Sequence, residues 1–198
     1  MTRPLPTLGA HMHLTPTHLD RIVAAWADWV RAVTDVGAQT SALLDALPTP
    51  TAVAAWEHAG AHYAANPRHA GGNGTLMRTG PVALGYLADG REAGLASAAR
   101  AVPDPPGGLP KNGWVVQALQ GAWSAIHHGD GLVDVLERAV RGGRDTDTVA
   151  AIAGALAGAA HGAGAVPDEW RRKLHGWPGI DADGLAELAV RAVDARAR

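Results

Sequence analysis

The chain has 198 residues, a formal net charge of −2 and no cysteine. This length suits one domain with a full hydrophobic core, and the nearly balanced charge gives no basis for binding nucleic acid or an anionic membrane surface. The lack of cysteine excludes disulfides and thiolate chemistry and agrees with a reducing compartment. Residues 1–13 also lack the apolar segment of a secretory signal, so we expect a cytoplasmic protein.

The composition predicts an all-α fold. Alanine, the strongest helix former, supplies about one residue in five, and runs of β-branched residues are nearly missing. Phenylalanine is absent, and seven tryptophans carry most of the aromatic bulk. We expect an irregular segment at 1–14, followed by a single compact multi-helix domain at 15–198 whose helices pack closely.

The first predicted helix begins with Thr15 as its N-cap and Pro16 at its first helical position. Apolar residues then recur at helical period as far as Val33. A proline-rich connector is expected at 102–112. The other helices are expected at about 38–47, 51–65, 80–88, 91–101, 114–127 and 132–141, from 147 onward, at 167–174, and from 181 to the carboxyl terminus.

The helix after Asp147 carries Gly154, Gly158 and Gly162 at intervals of four residues. Each glycine weakens a helix by roughly 1 kcal/mol relative to alanine, so we expect this stripe to be buried against a neighbouring helix. The apolar run at 149–166 is rich in alanine and glycine and is opened by two aspartates. It therefore predicts a buried helix and not a membrane span.

Three hard oxygen donors lie where that helix begins, namely the carboxylates of Asp145 and Asp147 and the hydroxyl of Thr148. Residues i and i+2 face different sides of a helix, so both carboxylates can face one ion only if an extended turn enters the helix here. Gly142-Gly143 allows such a turn, and the donor set suits Mg²⁺, Mn²⁺ or Ca²⁺. The alternative is an ordinary helix start capped by Asp147 or Thr146.

A second informative stretch is Gly71-Gly72-Asn73-Gly74-Thr75-Leu76-Met77-Arg78. Adjacent glycines permit positive φ angles, so that successive N–H groups can face one side and cradle an anion, and Arg78 can supply a fork for phosphate. The alternative is an ordinary turn. No Gly-Lys-Ser/Thr sequence follows, which excludes a nucleoside-triphosphate P-loop.

The tryptophans are expected to be structural. Their spacing on predicted helices favours a place in the core over an exposed platform for a base. This expectation applies to Trp26, Trp29, Trp56, Trp114 and Trp123.

Several segments together carry a family resemblance. GGNGTLMRTGPVALGYL is followed by the Gly-Gly-Arg-Asp-Thr-Asp-Thr helix start, then by AAIAGALAGAAHG and VPDEWRRKLHG. In this order they resemble the ADP-ribosylglycohydrolase family, as a shortened member of the dinitrogenase-reductase-activating glycohydrolase-like type. Asp35-Val36-Gly37-Ala38-Gln39-Thr40 is similar to the family's Asp-x-Gly-x-x-Thr segment.

The resemblance implies an all-α, Mg²⁺- or Mn²⁺-dependent hydrolase that releases ADP-ribose from a modified protein side chain or a small acceptor. Its expected partners are ADP-ribose or an ADP-ribosylated protein, with no membrane and no nucleic acid. Asp35 and Asp145 are the implied catalytic residues. The implied metal ligands are Asp145, Asp147 and Thr148, and the implied substrate-binding residues are Gly72, Asn73, Gly74, Thr75, Met77 and Arg78.

The chain departs from the family's pattern at the amino-terminal side. Members carry a Thr-Asp-Asp segment that completes a two-metal site, whereas no acidic residue precedes Asp20 here. A helical stretch of the family is also replaced by the proline-rich residues 102–108. With about three protein oxygens, a six-coordinate Mg²⁺ would be held mainly through water and weakly. The alternative reading is therefore a catalytically impaired relative that binds ADP-ribose or serves as a scaffold.

Overall fold

A computed structural model of the chain describes residues 15–67, 71–78, 80 and 111–194. The regular structure of these residues is nine α-helices, one 3-10 turn and one pair of two-residue strands, which confirms the all-α prediction. The helices are α1 (Pro16–Ala32), α2 (Ala38–Asp45), α3 (Ala52–Ala65), α4 (Gly74–Met77), α5 (Val115–His128), α6 (Gly131–Arg141), α7 (Thr146–His161), α8 (Asp168–Lys173) and α9 (Ala182–Asp194). The predictions for residues 1–14, for helices near 80–88 and 91–101, and for most of the 102–112 connector lie outside the described residues.

The chain forms two compact units, which are described separately. One comprises residues 1–70 and 175–198, and the other comprises residues 71–174. The first contains α1 to α3, α9 and the antiparallel strands β1 (His175–Gly176) and β2 (Ile180–Asp181). The second contains α4 to α8. The expected domain boundary at residue 15 stays a prediction.

Side-chain caps fix the helix starts of the first unit. The hydroxyl of Thr15 accepts a hydrogen bond from the first turn of α1, and Pro16 holds the first helical position, as predicted. Thr51 caps α3 in the same way. In addition, the N–H of Ala52 donates to the carboxylate of Asp20 at 2.7 Å, which ties the start of α3 to α1.

Three helices, α5, α6 and α7, build the core of the second unit. Six of the ten residues in its buried cluster are alanine, and such small side chains let helix backbones approach closely. Leu76 and Met77 of α4 pack against this cluster, so the core also holds the end of the glycine-rich stretch. The buried cluster comprises Ala118, Ala122, Ala125, Leu132, Val135, Ala139, Val149, Ile152, Ala153 and Ala157.

The glycine stripe of α7 is not its packing face, so that prediction is wrong. Only Gly154 lies against a neighbouring helix, where an added Cβ would come within 3.0 Å of Leu136. An added Cβ at Gly158 would meet no described residue within 4 Å, and Gly162 follows the helix with φ of 77°. The buried face instead carries Val149, Ile152, Ala153 and Ala157, which lie at i, i+3, i+4 and i+8. None of the described helices is long and apolar enough to cross a membrane.

Candidate metal and substrate site

The turn between α6 and α7 separates the two carboxylates of the predicted metal motif. Gly143 and Arg144 are both left-handed, with φ of 75° and 64°. Asp145 follows as the N-cap of α7 with ψ of 64°, and Asp147 lies in the first helical turn. The carboxylates therefore do not occupy i and i+2 of one continuous helix. A turn does enter the helix here, although it is left-handed where an extended one was predicted.

The Asp145 carboxylate does not cap its own helix. It accepts no hydrogen bond from the first-turn amides of α7. Its Oδ2 accepts instead from Nδ2 of Asn73 at 2.6 Å, across 72 residues of sequence. The alternative that made Asp147 or Thr146 the cap is wrong, because Asp145 itself occupies the N-cap position. The metal motif and the glycine-rich stretch thus meet at one hydrogen bond.

Two Asn-Gly steps form the surroundings of Asp145. Besides its bond to Asp145, Nδ2 of Asn73 donates to the carbonyl oxygen of Asn112 at 2.9 Å. The side chain of Asn112 donates to the carbonyl of Gly143 at 2.9 Å and accepts from the N–H of Asp145 at 3.3 Å. Both asparagines are buried. The glycine-rich stretch, the turn before α5 and the start of α7 therefore form one hydrogen-bonded cluster.

The sequence predicts Asn112 only as the end of a connector and gives no sign of its partners in this cluster. Its signal is the dipeptide Asn112-Gly113, which repeats the Asn73-Gly74 step of the glycine-rich stretch. Asn-Gly is typical of turns, so the dipeptide alone predicts a turn and no partner. The partner is visible only in three dimensions.

The glycine-rich stretch does not form the positive-φ cradle that its adjacent glycines permit. Among the described residues the left-handed positions are Gly131, Gly143, Arg144, Gly162 and Gly179, and none lies in the stretch. Gly72 forms an antiparallel bridge with Trp114, and the N–H of Asn73 donates to the carbonyl of Gly113. The stretch therefore agrees with the ordinary-turn alternative, while binding of ADP-ribose by these residues stays a prediction.

Trp114 lies directly on the glycine-rich stretch. A Cβ added at Gly71 would come within 2.8 Å of its indole, so only glycine allows this approach. The indole remains 47% exposed, which makes its assignment to the core wrong. The core assignment is also wrong for Trp26 and for Trp56, which is 82% exposed.

Three further predicted site residues lie close to this cluster. Thr148 is only 5% exposed, and its hydroxyl has the thioether sulfur of Met77 as its hydrogen-bond acceptor, at 3.8 Å. Sulfur is a weak acceptor, so the oxygen of Thr148 keeps its capacity to bind a cation. Arg78 donates to the carbonyl of Gly74 at 2.6 Å, which places its guanidinium back along α4.

The family model described as ADP-ribosylglycohydrolase matches residues 91–198, more than half of the chain. The chain belongs to the ADP-ribosylglycohydrolase family. No curated protein and no solved structure matches it. The matched range includes Asn112, Trp114 and the turn from Gly142 to Thr148, whereas Asp35 and the stretch from Gly71 to Arg78 lie before it and depend on their own motifs.

Asp35, the other catalytic residue implied by the ADP-ribosylglycohydrolase resemblance, belongs to the first compact unit. It lies in the segment between α1 and α2 and is exposed. Within the described part of the chain it forms no hydrogen bond or ion pair. All the other predicted site residues belong to the second compact unit. The convergence of Asp35 with Asp145 therefore stays a prediction.

The donor set at the start of α7 fits the divalent cation that this family implies. Asp147 is exposed and forms no hydrogen bond or ion pair with described residues, and one carboxylate oxygen of Asp145 has no such partner either. Two carboxylates and a hydroxyl are hard ligands of the kind that Mg²⁺ and Mn²⁺ prefer. In the described ranges no three His, Cys, Asp or Glu side chains group around one possible metal position, so these three residues would supply at most about half of an octahedral set.

Proposed function

We propose that this glycohydrolase is a divalent-metal-dependent enzyme that releases ADP-ribose from a modified protein side chain or a small acceptor. The observation that carries the proposal is the 2.6 Å hydrogen bond from Asn73 to Asp145. It joins two motifs that the family resemblance assigned separately, one to the substrate and one to the metal. A site in which these motifs are neighbours suits a reaction at a ribose held beside an ion.

Under this proposal Asp145, Asp147 and Thr148 would hold Mg²⁺ or Mn²⁺. When bound, such an ion supplies orientation of ribose hydroxyls and Lewis-acid stabilisation of developing negative charge. Asn73 serves this site by orienting Asp145, because both hydrogens of its amide are already donated to protein oxygens. The buried Thr148 adds a neutral oxygen that needs no charge compensation.

Hydrolysis breaks the bond between ribose C1″ and the acceptor nitrogen or oxygen, and the oxygen of water becomes bonded to C1″. Positive charge develops on the ribose in an oxocarbenium-like transition state. A carboxylate beside the ribose can take the proton of the attacking water and return a proton to the leaving group. We assign this work to Asp35, with Asp145 as the second implied catalytic residue.

Trp114 extends the proposed substrate site beyond the residues that the sequence implied. Its half-exposed indole lies against the glycine-rich stretch. Stacking of a base on an aromatic side chain contributes about 1–3 kcal/mol. We therefore expect Trp114→Ala to weaken ADP-ribose binding about tenfold or more, as measured by isothermal titration calorimetry.

The test of catalysis compares two exposed aspartates in first helical turns, Asp147 of α7 and Asp168 of α8. Release of free ADP-ribose from arginine- and serine-ADP-ribosylated proteins is measured by chromatography, with Mg²⁺ and with a chelator. Slow release that requires Mg²⁺ is expected, since water must complete the coordination. Asp147→Ala should abolish it, whereas Asp168→Ala should not change it. Release that survives both chelation and Asp147→Ala would contradict the proposal.

The second candidate function is ADP-ribose binding without turnover. It is favoured because, among the described residues, no three His, Cys, Asp or Glu side chains group around one possible metal position. Titration of ADP-ribose with and without Mg²⁺ separates the two candidates when it is read beside the release assay. Binding that survives chelation, with no release from any modified protein, identifies the binding module. Binding accompanied by Mg²⁺-dependent release identifies the enzyme.

A further inference from the structure

Asn112 has side-chain hydrogen bonds on both sides of Arg144. Its Nδ2 donates to the carbonyl oxygen of Gly143, which precedes Arg144, and its Oδ1 accepts from the N–H of Asp145, which follows it. Its own carbonyl oxygen accepts from Asn73, the residue that also holds the Asp145 carboxylate. The buried Asn112 thus contacts the main chain on both sides of Arg144, and it also contacts Asn73, which holds the Asp145 carboxylate.

The turn that Asn112 contacts has an unfavourable backbone conformation, which other contacts must stabilise. Arg144 is left-handed with φ of 64°, a region that L side chains rarely adopt. Such a conformation persists only where the surrounding contacts determine it. Among the described contacts, two hydrogen bonds link the main chain of this turn to a side chain outside it, and both are made by Asn112. One joins it to the carbonyl of Gly143 and the other to the N–H of Asp145.

We propose that Asn112 is a positioning residue for cation binding, which acts by fixing the Gly143–Asp145 turn so that the Asp145 carboxylate stays beside Asn73. The inference rests on the proposed function, because it takes Asp145 as a metal ligand. Mutation of a residue that hydrogen-bonds and orients a metal ligand typically lowers metal affinity by about 10–100-fold. Asn112 is not a catalytic residue in this account, since it touches the turn and neither substrate nor ion.

The test measures Mn²⁺ affinity of the full chain from the electron paramagnetic resonance signal of the free ion. Asn112→Ala should lower the affinity about tenfold or more. Leu132→Ala is the matched control for stability, because it removes a buried side chain from the other end of α6, in the same core. Leu132→Ala should leave the Mn²⁺ affinity unchanged. An equal loss of affinity in both variants would overturn the proposal in favour of general destabilisation.

A second measurement needs no ion. The Asp145 amide donates to Asn112 in the folded chain, so its hydrogen exchange should be slow in the wild type and fast in Asn112→Ala. In Leu132→Ala, the exchange of the Asp145 amide should stay slow when it is compared with the other amides at the start of α7. Unchanged exchange of this amide in Asn112→Ala would overturn the positioning role.

The design separates failure of this inference from failure of the proposed function. If the wild type binds Mn²⁺ and Asp147→Ala weakens binding while Asn112→Ala does not, the positioning role alone is wrong. If the wild type binds no Mn²⁺ at all, the proposed metal site is wrong and the inference falls with it. Should Asn112→Ala fail to fold, Asn112→Ser keeps one hydroxyl at the position, and the same outcomes apply to it with a smaller loss of affinity.

Discussion

Arg144 shows how much the candidate site depends on single backbone conformations. It is the one non-glycine residue with a left-handed backbone among those the structure describes, and it follows directly on left-handed Gly143. For an L-residue this conformation costs roughly 1–2 kcal/mol. The compensation lies outside the turn, in the side-chain bonds from Asn112. The strained residue directly precedes Asp145, and one of the compensating bonds is donated by the N–H of Asp145 itself, so both act on the position of a proposed metal ligand.

Two substitutions in this turn should have opposite effects on stability. Gly143→Ala should lower the free energy of unfolding by about 1 kcal/mol or more, because alanine resists positive φ. Apart from its two chain neighbours, no described residue lies within 4 Å of the added Cβ, so the loss would be conformational and not steric. Arg144→Gly removes the strain at the next residue and should leave stability equal or raise it by up to about 1 kcal/mol.

Denaturant titration of both variants checks this pair. If the free energy of unfolding of Gly143→Ala equals that of the wild type, the turn changes its conformation at no energetic cost. A large loss of stability in Arg144→Gly would mean that the arginine side chain contributes more than its backbone strain removes.

At this scale the sequence predicted local features and missed distant partners. The turn ahead of α7 could be predicted because Gly142, Gly143 and the two aspartates are adjacent in the chain. The role of Asn112 could not, because its side-chain partners lie 31 and 33 residues away. The same limit applies to the glycine-rich stretch, whose pairing partner Trp114 is distant in the sequence.

Helix boundaries were predictable where side chains cap them. Thr15 and Thr51 both hold their helix starts as N-caps, and these signals are local. The packing face of α7 was not predictable in the same way, because small apolar residues of its own sequence lie on every side of the helix. Its glycines suggested a close contact along one stripe, whereas the larger residues Val149 and Ile152 occupy the buried face.

This corrected face predicts different outcomes for two glycines of α7. Gly158→Ala should stabilise the protein by about 1 kcal/mol, because alanine is the better helix former and the added Cβ meets none of the described residues within 4 Å. Gly154→Ala should gain less, because its Cβ would lie 3.0 Å from a side-chain carbon of Leu136. Thermal unfolding followed by circular dichroism measures both.

The pair of variants contains its own control, since both gain the same helix propensity. An equal increase in melting temperature would mean that Leu136 moves aside freely. A lower melting temperature for Gly158→Ala would show that the added methyl group clashes with a neighbouring residue.

For the whole molecule, the important fact is that the implied catalytic residues belong to different compact units. Asp35 belongs to the unit that contains α1 to α3, and Asp145 belongs to the unit built on α5 to α7. The family match at 91–198 includes Asp145 and not Asp35. The proposed chemistry requires both, because a carboxylate acts as acid or base only within hydrogen-bond reach of the reacting group.

The absence of native cysteine allows a direct test of this convergence. In the double variant Asp35→Cys with Asp147→Cys, the two thiols should be joined rapidly by a short bifunctional maleimide, and the product should be seen as an intramolecular cross-link by mass spectrometry. The matched control replaces Asp147→Cys by Asp168→Cys, since Asp168 is also an exposed first-turn aspartate of the second unit. Preferential cross-linking to position 147 is expected. Equal yields for positions 147 and 168, or no cross-link at either, would remove the basis for assigning Asp35 to the same reaction as Asp145.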